Sequence, residues 1–175
     1  MLYEFDGRRP VIGENAYVSP HAVVIGDVKL GPNCYVGPGA IIRGDYGSIE
    51  IGEGTAVEEG VIIHAEPGAL NRIGNRVTLG HGAVIHSDQI GDYCVIGMGA
   101  VVSIGAVVGK NTIVAEGAVV KQRQNVQENV VVAGAPAKVV RELQQRDIDK
   151  WIPSKQVYVD LAHKLLGGCM KPLDE

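Results

Sequence analysis

The sequence is poor in large rings, with one phenylalanine, one tryptophan and six tyrosines in 175 residues. A core of packed aromatics is therefore excluded. Leucine is scarce too, at nine, against 26 valines and 16 isoleucines. Stiff β-branched side chains suit a pleated surface better than a helix, so that imbalance excludes a helical bundle and points to strands. Basic excess is also lacking. Sixteen Lys and Arg against twenty Asp and Glu give a net charge of −4, which removes the electrostatic basis for a nucleic-acid partner. No apolar run approaches the roughly 18 residues of a membrane helix. The opening MLYEFDGRRP lacks the positive-then-apolar order of a signal peptide, so neither export nor a membrane partner is expected. Cysteines number three, Cys34, Cys94 and Cys169, at no metal-like spacing. That fits a reducing cytoplasm. The length suits one domain and a small appendage.

Glycine, at 24 residues, is abundant, and it accompanies a six-residue clock. Every sixth residue from Ile12 is Val18, Val24, Leu30, Val36 and Ile42. After a three-residue insertion the series resumes at Ile51, Val57 and Ile63. After a four-residue insertion within 65–72 it continues with Ile73, Leu79 and Ile85. One deletion resets it to Ile90, and it then runs through Ile96, Val102, Val108, Val114, Val120 and Val126 to Val132. A second column four places later is small: Ala16, Ala22, Cys34, Ala40, Thr55, Ala83, Cys94, Ala100, Ala106, Thr112 and Ala118. Each hexad reads as a short strand plus a corner, three hexads close one coil of a triangular prism, and the lead residues stack inward at the strand spacing of about 4.8 Å. Cys34 and Cys94 then fill core corners, and glycines after the leads (Gly13, Gly80, Gly97) supply backbone freedom near the turns.

The expected organisation is an all-β solenoid over 1–135 followed by a helical segment over 136–175 packed on it. Pro136 is placed to start a helix carrying Val139, Val140 and Leu143. Pro153 breaks it, Ser154 caps a second segment with Val157, Leu161 and Leu165 as its apolar stripe, and Gly167 and Gly168 end it. Trp151 and Tyr158 are expected to anchor this segment.

Five histidines are present. His21 and His163 are expected on the surface. His64 and His86 each follow a lead residue, and those leads are three hexads apart, so both rings stack in one outward column. Arg43 follows Ile42, one coil earlier, and joins that column. His81 sits two places after Leu79, on the preceding face, around a corner. One chain cannot easily bring it to His64 and His86, whereas a neighbouring prism about a three-fold axis could. Three imidazoles with an open fourth position are a catalytic zinc arrangement. A ladder of stacked polar side chains is the alternative that spacing leaves open.

The segment Arg43-Gly44-Asp45, the Glu58-Glu59-Gly60 stretch, His64, and His81 and His86 after Gly80 resemble the γ-class carbonic anhydrases and their ferripyochelin-binding-like relatives. The closing GAPAKVVREL resembles the short bacterial branch that includes phenylacetate-pathway and carnitine-operon hexapeptide proteins. The resemblance covers nearly the whole chain. It implies a left-handed parallel β-helix with a C-terminal α-helix, and a homotrimer with metal sites between subunits. His64 and His86 would come from one chain and His81 from the next, holding Zn²⁺, with Fe²⁺ or Co²⁺ as substitutes of similar ligand taste. It implies hydration of CO₂ to bicarbonate by metal-bound hydroxide, and a small-molecule substrate. Arg43 and Asp45 resemble a subunit-bridging pair, and Tyr158 resembles a helix tyrosine near the site. Glu58 stands where the family usually has Gln, near the metal-bound water. The loop 65–72 is short, with Glu66 its only acid as a shuttle candidate, and Tyr46 replaces an expected acid. Hydrolysis of a coenzyme A thioester, metal-free acyl transfer by a histidine base, and a non-catalytic metal-binding scaffold are the alternatives.

Overall fold

A computed structural model describes residues 1–171 and 173. Residues 172, 174 and 175, the end of the expected 136–175 segment, lie outside the described residues. The chain forms a parallel β-solenoid of three faces, and its third face stacks seven parallel strands. The hexad clock is the fold. Eighteen of the twenty lead residues are buried, and Ile12 and Val18 in the first coil are partly so. Every member of the small column is buried, including Cys34 and Cys94. Two strands, Val23–Leu30 and Ile41–Ile51, run around the corner from the first face to the second. The three-residue insertion lies in the longer of them. Among the described residues no helix is long and apolar enough to cross a membrane.

The glycines after the leads have a different cause from the expected one. None of Gly13, Gly80 or Gly97 has a positive φ. Their constraint is the next coil: a Cβ at Gly80 would lie 2.8 Å from the Met98 nitrogen, and one at Gly97 2.5 Å from the Glu116 nitrogen. Left-handed backbone falls instead three places after the lead, at Gly60 and Gly82, and at Asn33, Arg76 and Tyr93 on other coils.

The C-terminal segment departs from expectation in four ways. Residues Lys138–Glu142, expected to be helical, form a strand antiparallel to Val130–Ala133. The last coil leaves an unpaired edge, and pairing with it satisfies more backbone groups than an isolated helical turn would. Pro153 does not break the helix, which runs unbroken over Gln145–Leu166. Ser154 caps nothing, since its hydroxyl donates to the Lys150 carbonyl one turn back at 2.9 Å. Val157 is exposed, and the inward stripe is Lys155, Val159 and Ala162, flanked by Tyr158, Leu161 and Leu165. Gly167 and Gly168 do end the helix.

The helix lies along the third face, against Tyr17–Val18, Tyr35–Val36 and Ala56–Val57. The three exteriors therefore differ. The third face is roofed. The second is polar, with Lys29, Glu50, Arg72 and Gln89 in register and ion pairs from Lys29 and Arg72 to Glu50 at 3.4 and 3.5 Å. The first is apolar and, among the described residues, bare. Val23, Ile41, Ile62, Val84, Val101 and Val119 stack in register down its outside, and Ile41, Ile62 and Val84 are 39%, 42% and 37% exposed.

Candidate functional site

Two clusters of polar groups flank the first face. On its far edge, Arg43 pairs in register with His64, and His86 follows one coil later. His64 Nδ1 lies 2.7 Å from His86 Nε2, and His64 Nε2 lies 3.1 Å from Asp45 Oδ1. The Arg43 guanidinium donates to the other Asp45 oxygen, and the Tyr46 amide donates to Oδ1 at 2.8 Å. Burial alone would raise the Asp45 pKa, but the Tyr46 amide, the His64 ring and the Arg43 guanidinium outweigh it and bring it down to about 2. Burial and the charge of His64 push His86 below the ordinary histidine range, against a smaller upward pull from Glu66. A neutral imidazole is the ligand form of histidine. His86 Nδ1 is buried without a hydrogen-bond partner.

A buried amide braces these rings from behind. Asn71 donates to the His64 carbonyl at 3.2 Å and accepts from the Ser87 hydroxyl at 3.0 Å, and Asn71 and Ser87 are both buried. It thereby ties the backbone of His64 to the residue after His86. The clock gives no signal for this brace, because Asn71 follows the four-residue insertion and Ser87 lies outside the strands.

The second cluster occupies the corner between the third and first faces and centres on His81. Glu58 Oε2 is 3.1 Å from His81 Nε2 and accepts the His81 amide at 3.1 Å, while Glu59 Oε2 is 2.7 Å from Nδ1. The Tyr35 hydroxyl donates to Glu59 at 2.5 Å. Tyr158, from the helix, lies beside Glu58, and burial together with that carboxylate raises its pKa. Glu58 is itself buried. A groove of about 320 Å³ opens here, with Met98, Trp151 and Tyr158 among its walls.

The structure thus joins Arg43, Asp45, His64 and His86, and separately joins His81, Glu58 and Tyr158. Among the described residues of one chain no three His, Cys, Asp or Glu side chains could hold a metal ion together. Glu66 is half-buried in its loop. Tyr46 is exposed and meets the Phe5 ring edge-on at 5.3 Å. His21 and His163 are exposed as expected. Sequence reasoning missed Glu59 as a partner of His81, although Glu59 adjoins Glu58, and Tyr35 as the donor that holds Glu59, and it missed Asn71 and Lys155 altogether.

The donor set fits a divalent cation in two halves. Two imidazole nitrogens converge in one cluster, His64 has Asp45 on its other nitrogen, and His81 has Glu59 on Nδ1 and Glu58 on Nε2; a carboxylate on the nitrogen away from the metal is the arrangement that fixes a metal-binding ring.

Comparisons with known proteins agree with the coil count. Residues 9–44 match the family described as bacterial transferase hexapeptide (six repeats). The chain is 34% identical to carnitine operon protein CaiE of Proteus sp. over 170 residues, covering 97% of this chain and 86% of that protein. It is 35% identical to the mitochondrial γ carbonic anhydrase 2 of Arabidopsis thaliana over 168 residues, covering 93% of this chain but 60% of the plant protein. Among solved structures, a Bacillus cereus protein with a provisional acetyltransferase description superposes with a TM-score of 0.91 at 26% identity, over 94% of this chain and 96% of that one. A hexapeptide transferase family protein from Anaplasma phagocytophilum gives 0.76 at 28%, over 93% and 96%.

Proposed function

The chain belongs to the hexapeptide-repeat family that includes CaiE and the γ carbonic anhydrases, and from that premise we propose that it is a homotrimeric, metal-dependent hydratase converting CO₂ and water to bicarbonate and a proton. The observation that carries this reading is the split donor set. His64 and His86 converge at one edge of the bare apolar face, while His81 is held around the corner with Nε2 toward Glu58. Only a second copy can supply the third imidazole. The uncovered aliphatic stripe beside the two histidines is the surface such a copy would bury, and closed three-fold packing uses it once per subunit.

His64, His86 and the neighbouring subunit's copy of His81 would hold the cation, with Zn²⁺ the first choice and Fe²⁺ or Co²⁺ the alternatives. When bound, such a cation would acidify water to a pKa of about 7 and offset negative charge developing on oxygen. The remaining work belongs to the chain. Asp45, fixed by Arg43, orients His64 through the nitrogen facing away from His86. Glu59, fixed by Tyr35, does the same for His81 through Nδ1, which leaves Nε2 on the side of Glu58. A carboxylate at Glu58 can accept a proton from water or hold it in line, and Tyr158 steadies that carboxylate from the helix.

The groove of about 320 Å³ favours a second reading, hydrolysis of a larger acyl compound such as a thioester, because CO₂ needs far less room. Stopped-flow CO₂ hydration on metal-reconstituted protein, run beside a thioester panel, tests both. Metal-dependent hydration with one ion per chain supports the first reading. Full activity after chelation overturns both.

A further inference from the structure

Two places before the leads Leu30 and Ile51 on the second face stand Val28 and Ile49, buried core side chains in register with one another. The next member of that inward column is Asn71, in register with Ile49 and also buried. An amide in an aliphatic column costs stability unless its groups are bonded. Here two bonds offset that cost: Nδ2 donates to the His64 carbonyl at 3.2 Å, and Oδ1 accepts from the buried Ser87 hydroxyl at 3.0 Å. Both fall where the strand pairing stops. The coils carrying His64 and His86 are in register at Ile62 with Val84 and at Ile63 with Ile85, one residue short of the two rings. The His86 amide donates onward, to the Val102 carbonyl at 2.8 Å, rather than back to the coil of His64. Asn71 links the two coils across that gap. His64 has Asp45 on its other nitrogen and His81 has Glu59, whereas His86 Nδ1 has no hydrogen-bond partner among the described residues.

We propose that Asn71 is a positioning residue for His86: acting through Ser87, it takes the place of the carboxylate that His86 lacks and fixes the approach of that ring to His64. The brace stands on the hydrogen bonds, while its consequence for a cation rests on the two histidines being metal ligands. A ring bonded at its far nitrogen is oriented directly. A ring without such a partner is placed through its main chain, and this amide ties the residue after His86 to the main chain of His64. The 2.7 Å approach of His64 Nδ1 to His86 Nε2 then depends on a residue that hydrogen-bonds to neither ring. A polar side chain where the column otherwise holds Val and Ile is the kind of local conflict that functional sites retain.

The test compares wild type with Asn71→Val, Ser87→Ala, the double variant and Ile49→Val, each as the assembled protein loaded with Co²⁺ alone. Asn71→Val and Ser87→Ala should each weaken Co²⁺ binding about tenfold and alter the visible absorption of the bound ion, which reports ligand geometry. The double variant should bind no more weakly than Asn71→Val, because Ser87 acts only through Asn71. Ile49→Val, a methyl deletion in the same column, should lower the melting temperature and leave affinity and spectrum as in wild type. Unchanged affinity and spectrum in Asn71→Val, or additive losses in the double variant, would overturn the role. If Asn71→Val does not fold, Ser87→Ala against wild type decides by the same two readings. A metal-free arm follows the imidazole NMR signals. Those of His86 should shift or broaden in Asn71→Val and Ser87→Ala while those of His21 and His163 stay put, and His86 signals unmoved in the folded variants would overturn the brace. A wild type that binds no Co²⁺ would sink the metal reading and leave these signals to decide whether Asn71 positions the ring.

Discussion

The first and third faces of the prism share one interior and have opposite exteriors. Both stack aliphatic leads inward from coil to coil. Outside, the third face carries Tyr17, Tyr35, Ala56 and Thr78 beneath a helix, and the first carries Ile41, Ile62 and Val84 beneath nothing. The chain supplies its own cover for one apolar surface and, among the described residues, leaves the other bare. Each exterior is bordered by half of the candidate metal site. The half beside the bare face is built on repeat strands, and the half beside the covered face depends on what the helix delivers.

The largest effect should come from spoiling the bare face. Ile62→Glu puts a charge in the middle of the stripe and leaves the core lead Ile63 untouched. Light scattering should then show monomer, circular dichroism an intact solenoid, and metal content and activity a loss of a hundredfold or more. Arg72→Glu, at the equivalent depth on the polar second face, should leave assembly alone. A trimeric Ile62→Glu protein would show that the stripe is not the seam.

A second experiment asks whether the half-sites belong to different chains. His86→Ala and His81→Ala should each be inactive. Unfolded, mixed equally and refolded, they form mixed trimers in about three-quarters of cases under closed three-fold symmetry, each with one seam of intact partners, so about a quarter of all sites should return. His86→Ala mixed with His64→Ala should recover nothing, because both changes break the same half. Recovery there, or none in the first mixture, would contradict the division.

Legibility follows the same line between faces. The column of Arg43, His64 and His86 is visible in the sequence because regular strands turn a residue count into a position. His81 is visible as an outsider for the same reason. The partners that steady it are not, because Tyr35 and Glu59 meet across coils at a corner where rotamers rather than spacing decide contact. The helix is the least legible element. A valine at 157 and a lysine at 155 suggest the wrong inward face. The observed phase instead brings small Ala162 and Val159 against the tyrosine-lined sheet, which lets the helix approach closely and carries Lys155 inside with them.

Strong acid should reach the first-face half through Asp45. Asp45 has a folded pKa near 2, below the usual carboxylate value. Its stabilising contribution is therefore present above about pH 4 and lost as the pH falls toward 2. Protonation there releases Arg43 and the orienting contact on His64. The melting temperature of wild type should decline across that window more steeply than that of Asp45→Asn, which should begin lower and show no Asp45-linked step. Equal pH profiles for the two proteins would remove Asp45 from the support of His64.

The smallest effect should come from the start of the helix. Asp147 accepts the Gln144 amide at 2.9 Å and takes both guanidinium nitrogens of Arg141, at 2.6 and 2.9 Å. This capping box joins the return strand to the helix. It is partly buried at the edge of the helix start, where water still screens the pair and limits its contribution. The helix is held further along by Lys155, Val159 and Ala162, buried against the sheet. Asp147→Ala should therefore lower the melting temperature by only a few degrees. The single tryptophan, Trp151, stands about two turns inside the N-cap and one turn after Asp147, and it walls the groove, so its fluorescence reports whether the helix start has frayed. A small emission shift with an unchanged hydration rate would show that the covered half-site is set by the buried stripe. A rate falling in step with the fluorescence would place that control at the helix start instead.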